Sequence, residues 1–166
     1  MDILRLSTEW AKSELFSAKI IGLFSVIVIL SAIGFALWGK TTTAKAFVIP
    51  LIVSGLFLIA VGIGLYAANK PRLESFQKEY NTNANAFVQK EIERTTKSQN
   101  DFKTVFNVLP LIIITAAVLF MVMPSANWRA IAVTLIVTAS FLLIVDSNTS
   151  ARNNSYREQL MKYTIS

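Results

Sequence analysis

The sequence predicts an all-α integral membrane protein. Its four transmembrane helices form two tandem, duplicated helical hairpins with amphipathic cytoplasmic helical extensions. Three observations predict this. Four uncharged apolar runs approach the length of a bilayer span. The Lys and Arg residues between them crowd onto one side. The chain also aligns with itself, without gaps, at a shift of 84 residues.

Composition sets the class. Of 166 residues, 54% are hydrophobic and 16% charged, where soluble domains carry about 25% charged residues. A spanning helix needs roughly 20 apolar residues, within a range of about 17–25.

The elements follow in chain order. An amphipathic lead comes first, with Ile3, Leu6 and Trp10 at helical spacing. The first span is Ile20 to Trp38. It is longer than the roughly 7–15 apolar residues of a secretory signal, and a second span follows closely, so a retained helix is expected. That second span is Ala46 to Ala68. Leu73, Phe76 and Tyr80 then form an apolar face, as do Phe87, Val88 and Ile92 beyond the turn. Pro71 is placed at the first turn of a new helix, where proline costs least. The third span is Thr104 to Met123. The fourth, Ala130 to Val145 with Asp146 at its inner end, is the shortest and borrows Trp128 as an interfacial anchor. Tyr156, Leu160 and Tyr163 give the tail an apolar face. Ser147 to Ser155 is rich in Ser, Asn and Thr, which compete with helix hydrogen bonds, and a break is expected there.

Orientation follows from the basic residues. With the N-terminus inside, 13 Lys and Arg lie on the cytoplasmic side and 3 outside. Both termini are therefore expected in the cytoplasm. The abundance of Asn, Lys and Ile points mildly to a bacterial inner membrane.

The self-alignment at 84 residues gives 15 identities. Leu51-Ile52-Val53 falls on Leu135-Ile136-Val137, and Ser54 on Thr138. The polar matches carry more weight, since apolar ones are cheap in spans: Glu9 with Glu93, Lys19 with Lys103, Asn69 with Asn153, Glu74 with Glu158. Unit 1 is residues 1–80, a turn occupies 81–84, and unit 2 is residues 85–166. Asn81, Thr82 and Asn83 supply an independent turn signal at that joint. Two spans per unit give both copies one orientation, with a pseudo-two-fold axis along the membrane normal. Inverted-repeat transporters have the other symmetry.

Several chemistries are excluded. There is no Cys and no His, which removes disulfides, thiol catalysis, the usual zinc sites and His acid–base work. No glycine-rich phosphate loop, nucleophile elbow or metal-ligand spacing occurs. Gly39-Lys40-Thr41 lacks the upstream glycines of a P-loop. Neither catalysis nor a cofactor or metal site is expected. The net charge of +6 is accounted for by basic residues holding cytoplasmic span ends, so nucleic acid is not an expected partner.

Within the spans no side chain is charged. Ion-coupled transporters and proton relays keep an ionisable group at mid-depth, so those functions are disfavoured. Thr115, Thr134 and Thr138 are the candidate polar lining of a passage, or else bond between helices or back to the preceding turn. Asp146 ends its helix in solvent, caps a passage or pairs with Arg152. Small residues mark candidate helix-packing faces: Ala32 and Ala36 on the first span, Ala60, Gly64 and Ala68 on the second, with Gly55 and Gly62 on another face. Trp10, Leu73, Phe76, Tyr80, Phe87, Ile92, Tyr156 and Leu160 form the candidate cytoplasmic contact face. They join a partner or subunit, or pack on each other as a small bundle.

The leading functional expectation is a non-enzymatic membrane protein that self-associates, forming a pore or channel. In outline the flanked two-span hairpin is similar to bacterial membrane-effector domains of defence systems, a likeness of architecture alone, which implies membrane permeabilisation. One alternative is a non-conducting subunit, anchor or immunity-type partner of another membrane protein. Another is a membrane-shaping hairpin protein. The lipid bilayer is the expected environment in each.

Overall fold

The computed structural model describes residues 2–165, with side chains through Tyr163. Five helices account for nearly all of it: α1 Ile3–Trp38, α2 Thr42–Ala46, α3 Val48–Thr82, α4 Ala84–Val122 and α5 Ala126–Ile165. Four of these are long and apolar enough to cross a membrane.

Each predicted span is continuous with its polar flank. The long helices have 35 to 40 residues, or about 53–60 Å at 1.5 Å per residue. The hydrocarbon core of a bilayer is roughly 30 Å thick, so each helix is long enough to cross one and still carry a second half well beyond it. Caps define the ends. Asp2 accepts from Arg5 N at 3.2 Å, Thr41 from Ala44 N at 3.1 Å and Asn83 from Ala86 N at 3.0 Å. Asn83 is extended (φ −160°, ψ 100°), which reverses the chain between α3 and α4.

Two sequence expectations are corrected. Pro71 lies inside α3 and opens no new helix. Ser147 to Ser155 is helical throughout. Its polar side chains find partners that hold the helix: Asn148 donates to Ile144 O, and Asn153 to Thr95 O on α4 at 2.9 Å. Tertiary bonds here outweigh weak propensity.

α1 packs along α3, and α4 along α5, as two antiparallel hairpins. Between hairpins the contacts are fewer and uneven. At the charge-rich end all four helices share one core: Ile3, Trp10 and Ala11 from α1, Phe76 from α3, Phe87 and Val88 from α4, Tyr156 and Leu160 from α5. The apolar halves hold a smaller cluster of Ile21, Val28 and Leu58, with Phe24, Phe141 and Leu142 against it. α4 contributes nothing to that second cluster.

Close approach of α1 and α3 needs small residues. A Cβ on Gly55 would sit 2.4 Å from Ile29 Cδ1, and one on Gly62 3.4 Å from Ala18 O. Ala32 is fully buried in the same seam. Ala36, Ala60, Gly64 and Ala68 lie on the exposed surface, and nothing stands within 4 Å of where a Gly64 Cβ would be.

Several positions 84 apart are alike in burial, whereas others differ, such as buried Ser17 and exposed Asp101. Both members are buried in Ile3/Phe87, Ala11/Thr95, Ala32/Ala116, Asn69/Asn153 and Phe76/Leu160. Some meet directly. Ser54 and Thr138 share a hydrogen bond of 2.6 Å. The Arg94 guanidinium lies 4.0 Å from the centroid of Trp10.

Candidate functional site

Two regions concentrate what chemistry the chain has. The first is a buried polar layer at the charge-rich end. It arises because the apolar stripe of each helix there includes charged and amide residues. On α1 the stripe runs Ser7, Trp10, Ala11, Glu14, Ser17, Ala18, all buried at three- and four-residue spacing. Burial of a carboxylate is costly unless paired, and each one here is paired. Arg152 donates to Glu14 Oε1 at 3.1 Å, Ser17 Oγ at 2.7 Å and Thr149 Oγ1 at 3.0 Å. Arg94 grips Glu91 through Nε at 2.9 Å and Nη2 at 2.6 Å. The Tyr156 hydroxyl is within bonding distance of Glu91 Oε2 (2.9 Å) and Ser7 Oγ (2.7 Å).

Trp10 is the centre of this layer. Tyr156 stacks on it at 5.4 Å between centroids, and Arg94 and Arg72 lie over its ring. Such contacts add about 0.5–2 kcal/mol each to the area buried. Burial raises the Glu14 carboxyl above the usual range, against the opposing pull of Arg152. Burial and neighbouring Arg94 lower Arg72. Burial and the Glu91 charge raise Tyr156. The layer runs through the charge-rich core, since Trp10 and Tyr156 belong to both, and its bonds tie α1, α4 and α5 together. Among the described residues no group of three or more acids stands close enough to hold a metal ion.

The second region is a cavity of about 600 Å³ between the hairpins at the loop end. Its walls come from α2, α3, α4 and α5, and most are apolar: Ile49, Val53 and Phe57 face Leu109, Ile131 and Leu135. Ser54 and Thr138 line it while bonded to each other. Thr134 lines it as well, buried and with no hydrogen-bond partner. Lys45 and Asn127 stand at its outer end. Its inner end abuts the apolar cluster, with Leu142 belonging to both. Beyond lie Leu58, fully buried, and the stacked rings of Phe24 and Phe141, 3.8 Å apart.

The structure distributes the sequence candidates as follows. Trp10, Leu73, Phe76, Tyr80, Phe87, Ile92, Tyr156 and Leu160 pack on one another in a single core. Thr134 and Thr138 are buried together beside the cavity, whereas Thr115 lies exposed on α4. Gly55, Gly62 and Ala32 are in the α1–α3 seam. Arg152 bonds to Glu14, and Asp146 lies half-buried on the same helix as Arg152. Glu14, Glu91 and Arg94 carry no sequence motif, and Asn153 entered only through its match to Asn69. Their signal was position: each falls in line with the apolar stripe of its own helix.

The fold and site together define an all-helical chain with four helices long and apolar enough to cross a membrane, the pattern of a multi-pass membrane protein. The chain matches no family model, no curated protein and no solved structure.

Proposed function

We propose that the chain is a non-enzymatic, non-conducting membrane subunit that anchors or accompanies another membrane protein. The observation carrying this is the direction of its polar groups. Ser54, Thr134 and Thr138 are turned inward, and Ser25 bonds back to Gly22 O on its own helix. The outward surface of the spans is mostly apolar, with Leu23, Leu30, Ile63, Leu111 and Ile144 among the exposed residues and Ser31, Asn107 and Thr115 as polar exceptions. At the inner end of the cavity, α1, α3 and α5 meet in an apolar cluster that includes Leu58 and the stacked Phe24 and Phe141. A pore needs a continuous polar or wettable lining.

In this reading the basic excess places both termini and the charge-rich bundle in the cytoplasm, with a bacterial inner membrane as the setting. The chain arose by tandem duplication of a two-span hairpin. The meetings of Ser54 with Thr138 and Trp10 with Arg94 support that, because equivalent residues touch where a two-fold axis passes. A second reading, self-association, is supported by the smooth exposed face of Ala60, Gly64 and Ala68 on α3.

Planar-bilayer recording on purified protein tests the proposal. The expected result is silence at all voltages. Discrete current steps that disappear on heat denaturation would restore the pore-forming alternative.

A further inference from the structure

We propose that the cavity between the hairpins is a phospholipid site, taking one acyl chain of an anionic phospholipid from the surrounding bilayer with its headgroup phosphate at Lys45.

Size argues first. From Asn127 to Leu142 the slot follows α5 for about 22 Å at 1.5 Å per residue. One leaflet, headgroup zone included, is roughly 20–22 Å thick. The volume of about 600 Å³ is far below the roughly 2,000 Å³ or more of a spanning helix. A helix of a second copy or partner does not fit inside it, whereas an extended hydrocarbon chain does. The slot also opens sideways: Ile49, Val53 and Phe57 on one wall and Leu135 on the other are exposed at the surface.

Chemistry argues second. Water needs two to four polar partners to be held in a cavity, and this wall offers one free hydroxyl, Thr134 Oγ1. That hydroxyl lies about 10 Å below Asn127 along α5, near the lower edge of the headgroup zone. There it can donate to an ester carbonyl of the lipid. An unpaired buried hydroxyl costs about 1–3 kcal/mol, so a ligand carrying an acceptor at that depth is favoured.

Charge argues third. Residues 20–68 and 104–145 contain no acid, and the loop end carries Lys40, Lys45 and Arg129. Among the described residues the Lys45 ammonium on the cavity rim has no carboxylate partner. A phosphate from an anionic lipid supplies one.

Native mass spectrometry after reconstitution into vesicles of equal phosphatidylglycerol and phosphatidylcholine tests this. The wild type is expected to retain one phosphatidylglycerol, preferred about fivefold, the effect of one cation at a membrane surface. Lys45→Gln should abolish the preference, and Lys40→Gln, outside the cavity, should keep it. Leu135→Trp, which fills the slot from its mouth, should retain neither lipid. Thr134→Leu serves the same purpose if the tryptophan variant fails to fold. Equal retention of both lipids by the wild type would overturn the proposal, as would retention unchanged by either filling variant. A lipid-free two-chain species dissociated by Leu135→Trp would assign the slot to a subunit contact instead.

Discussion

The two ends of this bundle are built from the same four helices and packed in opposite ways. At the charge-rich end every long helix contributes to one aromatic core, and the buried carboxylates are paired, Glu14 with Arg152 across helices and Glu91 with Arg94 along α4. At the loop end the hairpins part around a cavity, and the apolar half of α4 is barely buried, with Ala116 its buried residue. In the proposed membrane setting the difference follows from the solvent. In water, apolar faces drive all four helices together. In lipid that drive vanishes, because lipid tails are as apolar as Leu. Association there rests on close approach of small residues, which the α1–α3 seam supplies through Gly55, Gly62 and Ala32 and which α3 and α4 do not share. The watery end holds the hairpins in register, and the lipid end leaves room between them.

Mutations sharpen that contrast. The largest effect is expected at Trp10. Removing its ring with Trp10→Ala empties the centre of the core and strips Arg94 and Tyr156 of their contact, a loss of about 3–5 kcal/mol. The lipid-facing Phe57→Ala should cost far less, since lipid replaces the ring. Equilibrium unfolding in mixed micelles compares the two, and equal losses would erase the distinction between the ends.

Next comes the α1–α3 seam. Gly55→Ala places a methyl group 2.4 Å from Ile29 Cδ1, an overpacking cost of about 1–3 kcal/mol. Gly64→Ala meets open space and should be neutral or stabilising by up to about 1 kcal/mol. The same unfolding assay reads both, and a penalty at Gly64 equal to that at Gly55 would place the hairpin seam wrongly.

A smaller effect is expected at the contact between hairpins. Ser54→Ala removes the bond to Thr138, worth about 0.6 kcal/mol by analogy with other interhelical bonds in lipid. Thr138→Ala should cost about the same, and the double variant little more than either. Additive losses would show that the two hydroxyls do not work as a pair.

The subtlest effect is a slope. Glu14 holds its proton more tightly when folded, because burial raises its carboxyl. Its contribution is therefore fully present below the ordinary glutamate range and is lost as pH rises through the folded value. Relative to Glu14→Gln, the wild type should gain stability as pH falls from neutral toward 4.5. Parallel pH profiles for the two proteins would remove Glu14 from the account.

Much of the helical layout could be read from the residues. The four apolar runs of the sequence lie in the four long helices, since the absence of charge over bilayer length leaves few other structures. The faces of Leu73, Phe76 and Tyr80, and of Tyr156 and Leu160, followed from three- and four-residue spacing. Their partners did not, because periodicity names a face without naming what lies across from it. Ser147 to Ser155 misled for a related reason: local propensity ignores the bond that Asn153 makes to Thr95 on α4. The buried Glu14–Arg152 pair joins residues 138 apart. A charge in an apolar stripe hints at such a pair but cannot say which cation answers it.

The proposed membrane crossing, and the proposed lack of a passage, are tested most directly by thiol accessibility, since the sequence has no cysteine to confuse the result. Cysteines are introduced singly at Lys45, Leu58 and Lys90 in protein embedded in sealed vesicles, then exposed to a charged, impermeant maleimide added outside or inside. Lys45→Cys and Lys90→Cys should each react from one side, opposite to each other, and Leu58→Cys from neither. Labelling of Leu58→Cys would reveal water at the plug, and labelling of both lysine positions from the same side would contradict the crossing itself.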